Sequence, residues 1–214
     1  PRDKYGAFIS SMDEIVGKVV THVEKLGLRE NTIIVFQSDH GHSIETRTFG
    51  GGGNSGPYRG AKGSLFEGGI RVPSIVSWPG KIPQGEVRSQ MATGCDWFPT
   101  LAEFSGAKLP KDRKLDGKSL VEVISDDKTA SPHKSFYWQL GNQSVVREGN
   151  WKLLLNPRDH NRPEGREPSG KVFLANLDED PGESKNLAKK HPDVVSRLTE
   201  LKQSYVNGLR APRK

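Results

Sequence analysis

Between Tyr5 and Leu26 the apolar residues Phe8, Ile9, Met12, Ile15, Val16, Val19, Val20, Val23 and Leu26 fall three and four apart, the spacing of an amphipathic helix. Gly27 follows as a helix stop. The run Thr32-Ile33-Ile34-Val35-Phe36 is short, unbroken and β-branched, as in a strand covered on both faces. A helical stripe of that length contributes on the order of 10 kcal/mol when buried, before chain entropy is set against it, so the helix needs a sheet to lean on. Helix, short turn and buried strand together predict an α/β layer with a mostly parallel sheet flanked by helices. A second strand is predicted over Ser74–Trp78, closed by Pro79-Gly80. A short helix is predicted over Asp96–Phe104, with Pro99 in its first turn and Gly106 after its end.

Beyond about Ser125 the texture changes. Short extended runs at Ser135–Leu140, Gln143–Arg147, Trp151–Leu155 and Val172–Leu177 alternate with Gly, Asn and Pro turns, which predicts a small antiparallel sheet. Val194, Val195, Leu198, Leu201 and Tyr205 then keep a helical period, giving a terminal helix over about Pro192–Leu209 that packs on this sheet. Asn156–Gly170 reads as a solvated loop. The pattern divides the chain into residues 1–125, a portion of an α/β domain, and residues 126–214, a small α+β subdomain. No apolar run approaches the roughly 20 residues of a membrane helix, so no membrane span is expected. Pro1-Arg2-Asp3-Lys4-Tyr5 has neither an initiator Met nor an apolar leader, and the natural N-terminus is expected further upstream.

A net charge of +6 favours anionic partners, but the 32 Lys and Arg are spread along the chain among 26 Asp and Glu. Without a basic and aromatic stripe or a reader motif, nucleic acid is not an expected partner. An anionic small molecule or a sulfated polymer suits the charge. The single cysteine, Cys95, excludes an internal disulfide and a multi-cysteine zinc site while leaving the compartment open. With no motif to activate it, Cys95 reads as a packed small residue.

Gln37-Ser38-Asp39-His40-Gly41-His42 follows the first strand, and ligands of open α/β sheets sit outside the carboxyl ends of strands. Adjacent Asp39 and His40 offer one cation a carboxylate oxygen and an imidazole nitrogen; the same tetrad alone is also an ordinary exposed turn. Lys62, in a glycine-rich stretch, can hold an anion or simply be solvated. It does not belong to a phosphate loop, because Gly63 follows it where Ser or Thr is needed. Asp178–Glu183 places Pro181 and Gly182 at the fourth and fifth positions and so reads as a charged turn, not a calcium loop. Glu67 and Arg71, four apart around a glycine pair, read as an ion pair or as backbone hydrogen bonds that hold the Lys62 loop.

Taken together, the blocks Gly27–Phe36 into Ser38-Asp39-His40-Gly41, Lys62-Gly63-Ser64-Leu65-Phe66-Glu67-Gly68-Gly69-Ile70-Arg71-Val72-Pro73, Asp96–Leu101, Leu115–Leu120, Gly149–Leu153 and Asp180–Leu187 resemble, in order and content, the C-terminal part of the sulfatase family. This family belongs to the alkaline-phosphatase-like superfamily. The resemblance implies that Asp39 and His40 ligate the active-site divalent cation, usually calcium. It implies that Lys62 binds the sulfate group near the scissile oxygen as a catalytic residue, and that His42 is a substrate contact. His40 stands where many members have Asn, and imidazole is the poorer calcium ligand, which makes manganese the alternative.

The same resemblance places the nucleophile, a formylglycine made from the Cys or Ser of a Cys-x-Pro-x-Arg or Ser-x-Pro-x-Arg signature, in an N-terminal half, with an Asp-Asp metal pair and a catalytic His. Cys95, followed by Asp-Trp-Phe, does not begin that signature, and neither the Cys nor the Ser form of it is expected in this chain. The implied partners are the N-terminal half of the same protein and a sulfated small molecule or polysaccharide, in a periplasmic or secreted setting. A phosphonate or phosphate ester hydrolase of the same superfamily and a non-catalytic binding fragment are the other readings.

Overall fold

The computed structural model describes residues 2–48, 51–159 and 165–210. Helix α1 spans Arg2–Lys25, and Gly27, at a φ of 68°, ends it as predicted. Its apolar stripe is not covered, however: no residue of α1 is fully buried, and Phe8 is 70% and Ile15 59% exposed. Strands β1 (Ile34–Gln37) and β2 (Ser74–Ser77) are neighbours in a two-stranded sheet. The expectation that β1 is covered on both faces is not met, since its apolar residues are half-buried and Ile75 of β2 is exposed. A period in the sequence reports which side chains share a face; whether that face is covered depends on another layer.

Two compact units divide the chain: the described residues of 1–21, 36–75 and 135–214, and those of 22–35 and 76–134. The first is built on a four-stranded sheet of β3 (Ser135–Leu140), β4 (Gln143–Glu148), β5 (Trp151–Leu155) and β6 (Val172–Asn176), in that order. All three pairings are antiparallel, with Val145 opposite Leu154 and Leu154 opposite Phe173. Successive strand residues point to opposite faces, and here both faces are buried. Val145, Leu154 and Phe173 pack with Leu65 and Phe66. Val146, Leu153 and Leu174 pack on Val194 and Leu198 of helix α5 (Pro192–Arg210). Each such side chain contributes roughly 1.5–3 kcal/mol on burial. Phe66 meets Phe173 edge-on at 5.3 Å between ring centroids. Helix α2 is the single turn Glu67–Ile70 within this unit.

The second unit carries α3 (Trp97–Ser105) and α4 (Val121–Ser125), with Gly106 capping α3 at a φ of 70°. Asp96 is fully buried and holds this unit together. Its Oδ2 accepts the Thr93 N–H at 2.8 Å, and its Oδ1 accepts the Lys118 N–H at 2.8 Å and lies 2.8 Å from His133 Nε2. Thr100 Oγ1 donates to the Asp96 carbonyl and accepts the Leu120 N–H. Gly117 is required here, because a Cβ on it would lie 2.0 Å from the Cys95 carbonyl oxygen. Cys95 itself is exposed, correcting the packed-residue expectation; the buried position of this turn belongs to Asp96.

Asp96→Ala removes one acceptor from three donors inside this unit. The expected loss is roughly 3 kcal/mol or more of stability, read as a lower urea midpoint for the chain. An unchanged midpoint excludes Asp96 as the centre of the unit.

Candidate functional site

The turn after β1 is held by backbone on both sides. The Ser38 N–H donates to the Pro73 carbonyl at 3.1 Å, the Gly41 N–H to Gly69 at 3.0 Å, and the Lys62 N–H to His42 at 2.9 Å. Ser38 Oγ donates to the His40 carbonyl at 2.9 Å. Contact is close enough to demand glycine: a Cβ on Gly41 would sit 1.8 Å from the Gly68 carbonyl oxygen, and one on Gly69 would sit 2.1 Å from that of Ser64. The glycines at these positions admit a backbone-to-backbone approach that no side chain permits.

On this frame Asp39 projects its carboxylate outward, with 81% of the side chain exposed. His40 Nδ1 lies 2.8 Å from the Gly41 carbonyl oxygen, an acceptor only, so Nδ1 carries a proton. His40 Nε2 lies 3.1 Å from Asp39 Oδ2. Two donors at cation–ligand distances of about 2.3 Å and at right angles stand about 3 Å apart, so the pair suits two adjacent positions around one divalent cation. Among the described residues no group of three or more His, Cys, Asp or Glu side chains converges, so the pair offers a cation two ligands at most.

Lys62 Nζ is half-buried and lies 3.6 Å from Glu45 Oε1, so it is not the solitary solvated lysine that its glycine-rich surroundings also allow. Gln143 Nε2 donates to the Gly63 carbonyl at 2.8 Å and steadies the backbone beside it. His42 is half-buried, and burial lowers its pKa; its imidazole is therefore neutral near pH 7. The structure thus brings Asp39 and His40 together by side chain, and His42 and Lys62 by backbone.

Behind this frame is a charged cluster that sequence reasoning reached only through Glu67 and Arg71. Lys152, fully buried, places Nζ 2.8 Å from Glu67 Oε1 and 2.9 Å from Glu183 Oε1. Arg71 and Arg147 approach Glu67 Oε2 at 3.6 and 3.8 Å, so the expected Glu67–Arg71 pair is present but Lys152 is the nearer partner. Glu183 Oε2 accepts the Glu67 N–H at 2.6 Å. The charged turn Asp178–Glu183 therefore ends in a fully buried carboxylate, at a φ of 53°. The available signal was Lys152 itself, a charge inside Trp-Lys-Leu-Leu-Leu.

A second buried cation, Arg59, donates to both Asp159 oxygens and to the carbonyls of Glu183 and Glu167. Its guanidinium lies 4.4 Å from the Phe66 ring centroid and 4.9 Å from that of Phe173. Asp159 and the buried Ser169 correct the reading of Asn156–Gly170 as wholly solvated; residues 160–164 of that stretch lie outside the described residues. Arg59 also ends a Ser-x-Pro-x-Arg frame, Ser55-Gly56-Pro57-Tyr58-Arg59, which corrects the expectation that the chain holds no such frame. Here the frame serves packing. Ser55 Oγ donates to the carbonyls of Tyr58 and Gly60 at 3.1 and 3.2 Å, while Arg59 anchors the buried layer.

The Sulfatase family profile matches residues 1–107, and the profile "N-sulphoglucosamine sulphohydrolase, C-terminal" matches residues 61–207. The chain belongs to the sulfatase family. A sulfatase of Formosa agariphila is 33% identical over 222 residues, an alignment covering 97% of this chain and 39% of the relative. Steryl-sulfatase of Rattus norvegicus is 40% identical over 136 residues, covering 62% of this chain and 24% of the relative. The crystal structure of Ps i-CgsB in complex with k-i-k-neocarrahexaose superposes with a TM-score of 0.74 at 27% identity, covering 92% of this chain and 41% of that one. The α/β fold with its four-stranded antiparallel C-terminal sheet is similar to that of solved sulfatase structures, and the chain spans 24–41% of the lengths of these three proteins.

Burial raises the Glu183 pKa, Lys152 beside it opposes this, and repulsion from Glu67 adds to the rise, leaving it at about 7. Glu67 is pushed up by burial, but Lys152, Arg147 and Arg71 more than offset this and hold it below the usual carboxylate range. Between about pH 4.5 and 7 the folded chain holds a proton on Glu183 that the unfolded chain releases, so stability present below this window is lost as pH rises through it. Glu67 acts in the other direction and only below its ordinary pKa, as its stabilisation is lost in acid. Thermal unfolding midpoints are expected to fall from pH 5 to pH 8, with a flatter profile in Glu183→Gln; identical profiles exclude Glu183 as the titrating group.

Proposed function

We propose that this chain is the C-terminal part of a sulfuric ester hydrolase, in which Asp39 and His40 supply two ligands of a divalent cation and Lys62 binds the sulfate group. Calcium is the first choice of cation and manganese the alternative, given an imidazole among the ligands. The observation that carries this reading is the Asp39–His40 pair, 3.1 Å apart, on a strand-end turn tied by backbone to the Lys62 loop in a chain of the sulfatase family.

In this reading residues 1–125 belong to a catalytic α/β domain whose mostly parallel sheet contains β1 and β2, and residues 126–214 form its C-terminal subdomain. The N-terminal half of the same protein completes the sheet, the cage and the nucleophile. The bound cation supplies Lewis-acid stabilisation of charge on the sulfate oxygens. Lys62 offsets the charge that collects near the leaving oxygen. Neutral His42 donates or accepts one hydrogen bond to substrate from the Lys62 side of the turn. The substrate class is a sulfated small molecule or polysaccharide, which the net charge of +6 favours.

In the full-length protein Asp39→Ala is expected to lose both its stoichiometric cation, by elemental analysis, and turnover of an aryl sulfate. Retention of both removes Asp39 from the metal site. A kinetic comparison tests the other assignments: Lys62→Ala should lower turnover by roughly 10² to 10³ with folding intact, while Ser55→Ala should keep parental rates. Abolished turnover in a folded Ser55→Ala protein places the nucleophile inside this chain and overturns the assignment of a nucleophile to the N-terminal half.

A further inference from the structure

We propose that the buried Lys152–Glu67–Glu183 cluster positions the Asp39–His40 pair, acting through the single helical turn Glu67–Ile70. The proposal rests on the reading of those two residues as cation ligands. The connection is continuous in named atoms. Lys152 Nζ joins Glu67 Oε1 at 2.8 Å and Glu183 Oε1 at 2.9 Å. Glu183 Oε2 accepts the Glu67 N–H at 2.6 Å, fixing the first residue of the turn by its backbone as well as its side chain. The Gly68 N–H donates to the Arg59 carbonyl at 2.6 Å, and the Arg71 N–H closes the turn onto the Glu67 carbonyl at 2.7 Å. From the far end, Gly69 accepts the Gly41 N–H and Pro73 accepts the Ser38 N–H, so the two bonds bracket Asp39 and His40. Gly41 is pressed so closely on the Gly68 carbonyl that a tilt of the turn cannot be absorbed without moving His40.

The choice of charged residues supports a positioning role. Lys152 and Glu183 lie in a layer otherwise made by Leu65, Phe66, Leu154 and Phe173. Well-packed apolar side chains of similar volume stabilise such a layer as well as an ion cluster does, because burying ions costs several kcal/mol each. What the ions add is direction, since each donor and acceptor has a set partner and the cluster admits one arrangement.

Hydrogen exchange in the intact protein, followed by mass spectrometry, compares the peptide covering residues 37–42 with peptides from β4 and β5. Glu183→Leu removes the acceptor of the Glu67 N–H and should speed exchange in residues 37–42 by about tenfold or more while β4 and β5 stay protected. Glu183→Gln keeps an acceptor oxygen and should stay within about threefold of the parent. Unchanged exchange in residues 37–42 of Glu183→Leu overturns the proposal, as does uniform acceleration that includes β4 and β5, which marks a purely structural cluster. If Glu183→Leu does not fold, Lys152→Met with Glu183→Leu removes both charges and leaves Glu67 to Arg71 and Arg147; it is read by the same criteria. A parallel titration with Mn²⁺ separates the two readings. Affinity about tenfold weaker in Glu183→Leu, and lost in Asp39→Ala, supports both; Mn²⁺ binding that survives Asp39→Ala removes the cation reading, whereas parental affinity in Glu183→Leu with loss in Asp39→Ala removes only the positioning role.

Discussion

An ammonium group with no solvent contact, Lys152 between two carboxylates, sets the terms for the first unit. Its desolvation costs several kcal/mol and is met only if both partners are in place. Glu67 comes from the turn that follows the Lys62 loop, Lys152 from β5, and Glu183 from the turn after β6, so segments 85 and 116 residues distant from Glu67 have to assemble together. Arg59 repeats the principle in the same layer, with a guanidinium over two phenyl rings and its fork filled by Asp159. Once these cations are satisfied, the backbone that contacts the Asp39–His40 turn has little freedom left.

Legibility in the sequence followed the range of the interactions. Strands β3 to β6 and helix α5 were readable to within a residue or two because their apolar residues lie on both faces of one local sheet and their turns are marked by Gly and Asn. The period of α1 was equally readable, but its burial was not, because a stripe specifies a face and not the surface that covers it. Cys95 and Asp96 show the same limit at single residues. Cysteine is usually buried and aspartate usually exposed, yet the carboxylate went inside because Thr93, Lys118 and His133 converge on it from up to 37 residues away.

The blocks that carry the family resemblance do two kinds of work. Asp96–Leu101, Leu115–Leu120 and Asp180–Leu187 meet their partners through buried acceptors and glycine contacts, so they report architecture. Asp39 differs from them, since its side chain stays mostly in solvent. Ser55–Arg59 shows why a frame alone does not decide chemistry. Its serine closes a turn and its arginine anchors a core, and both are accounted for without a reacting group.

The site therefore has an outer side open to solvent and an inner side that is dry and charged. Glycines join the two, because the 1.8 Å from a Gly41 Cβ to the Gly68 oxygen and the 2.1 Å from a Gly69 Cβ to the Ser64 oxygen leave room for backbone only. Side-chain contacts tolerate exchange of rotamers, whereas carbonyl-to-amide contacts held at both ends do not. Under the proposed reading such a frame separates two demands on one short segment: Asp39 and His40 meet the ligand, while the precision of their placement is supplied by residues that do not.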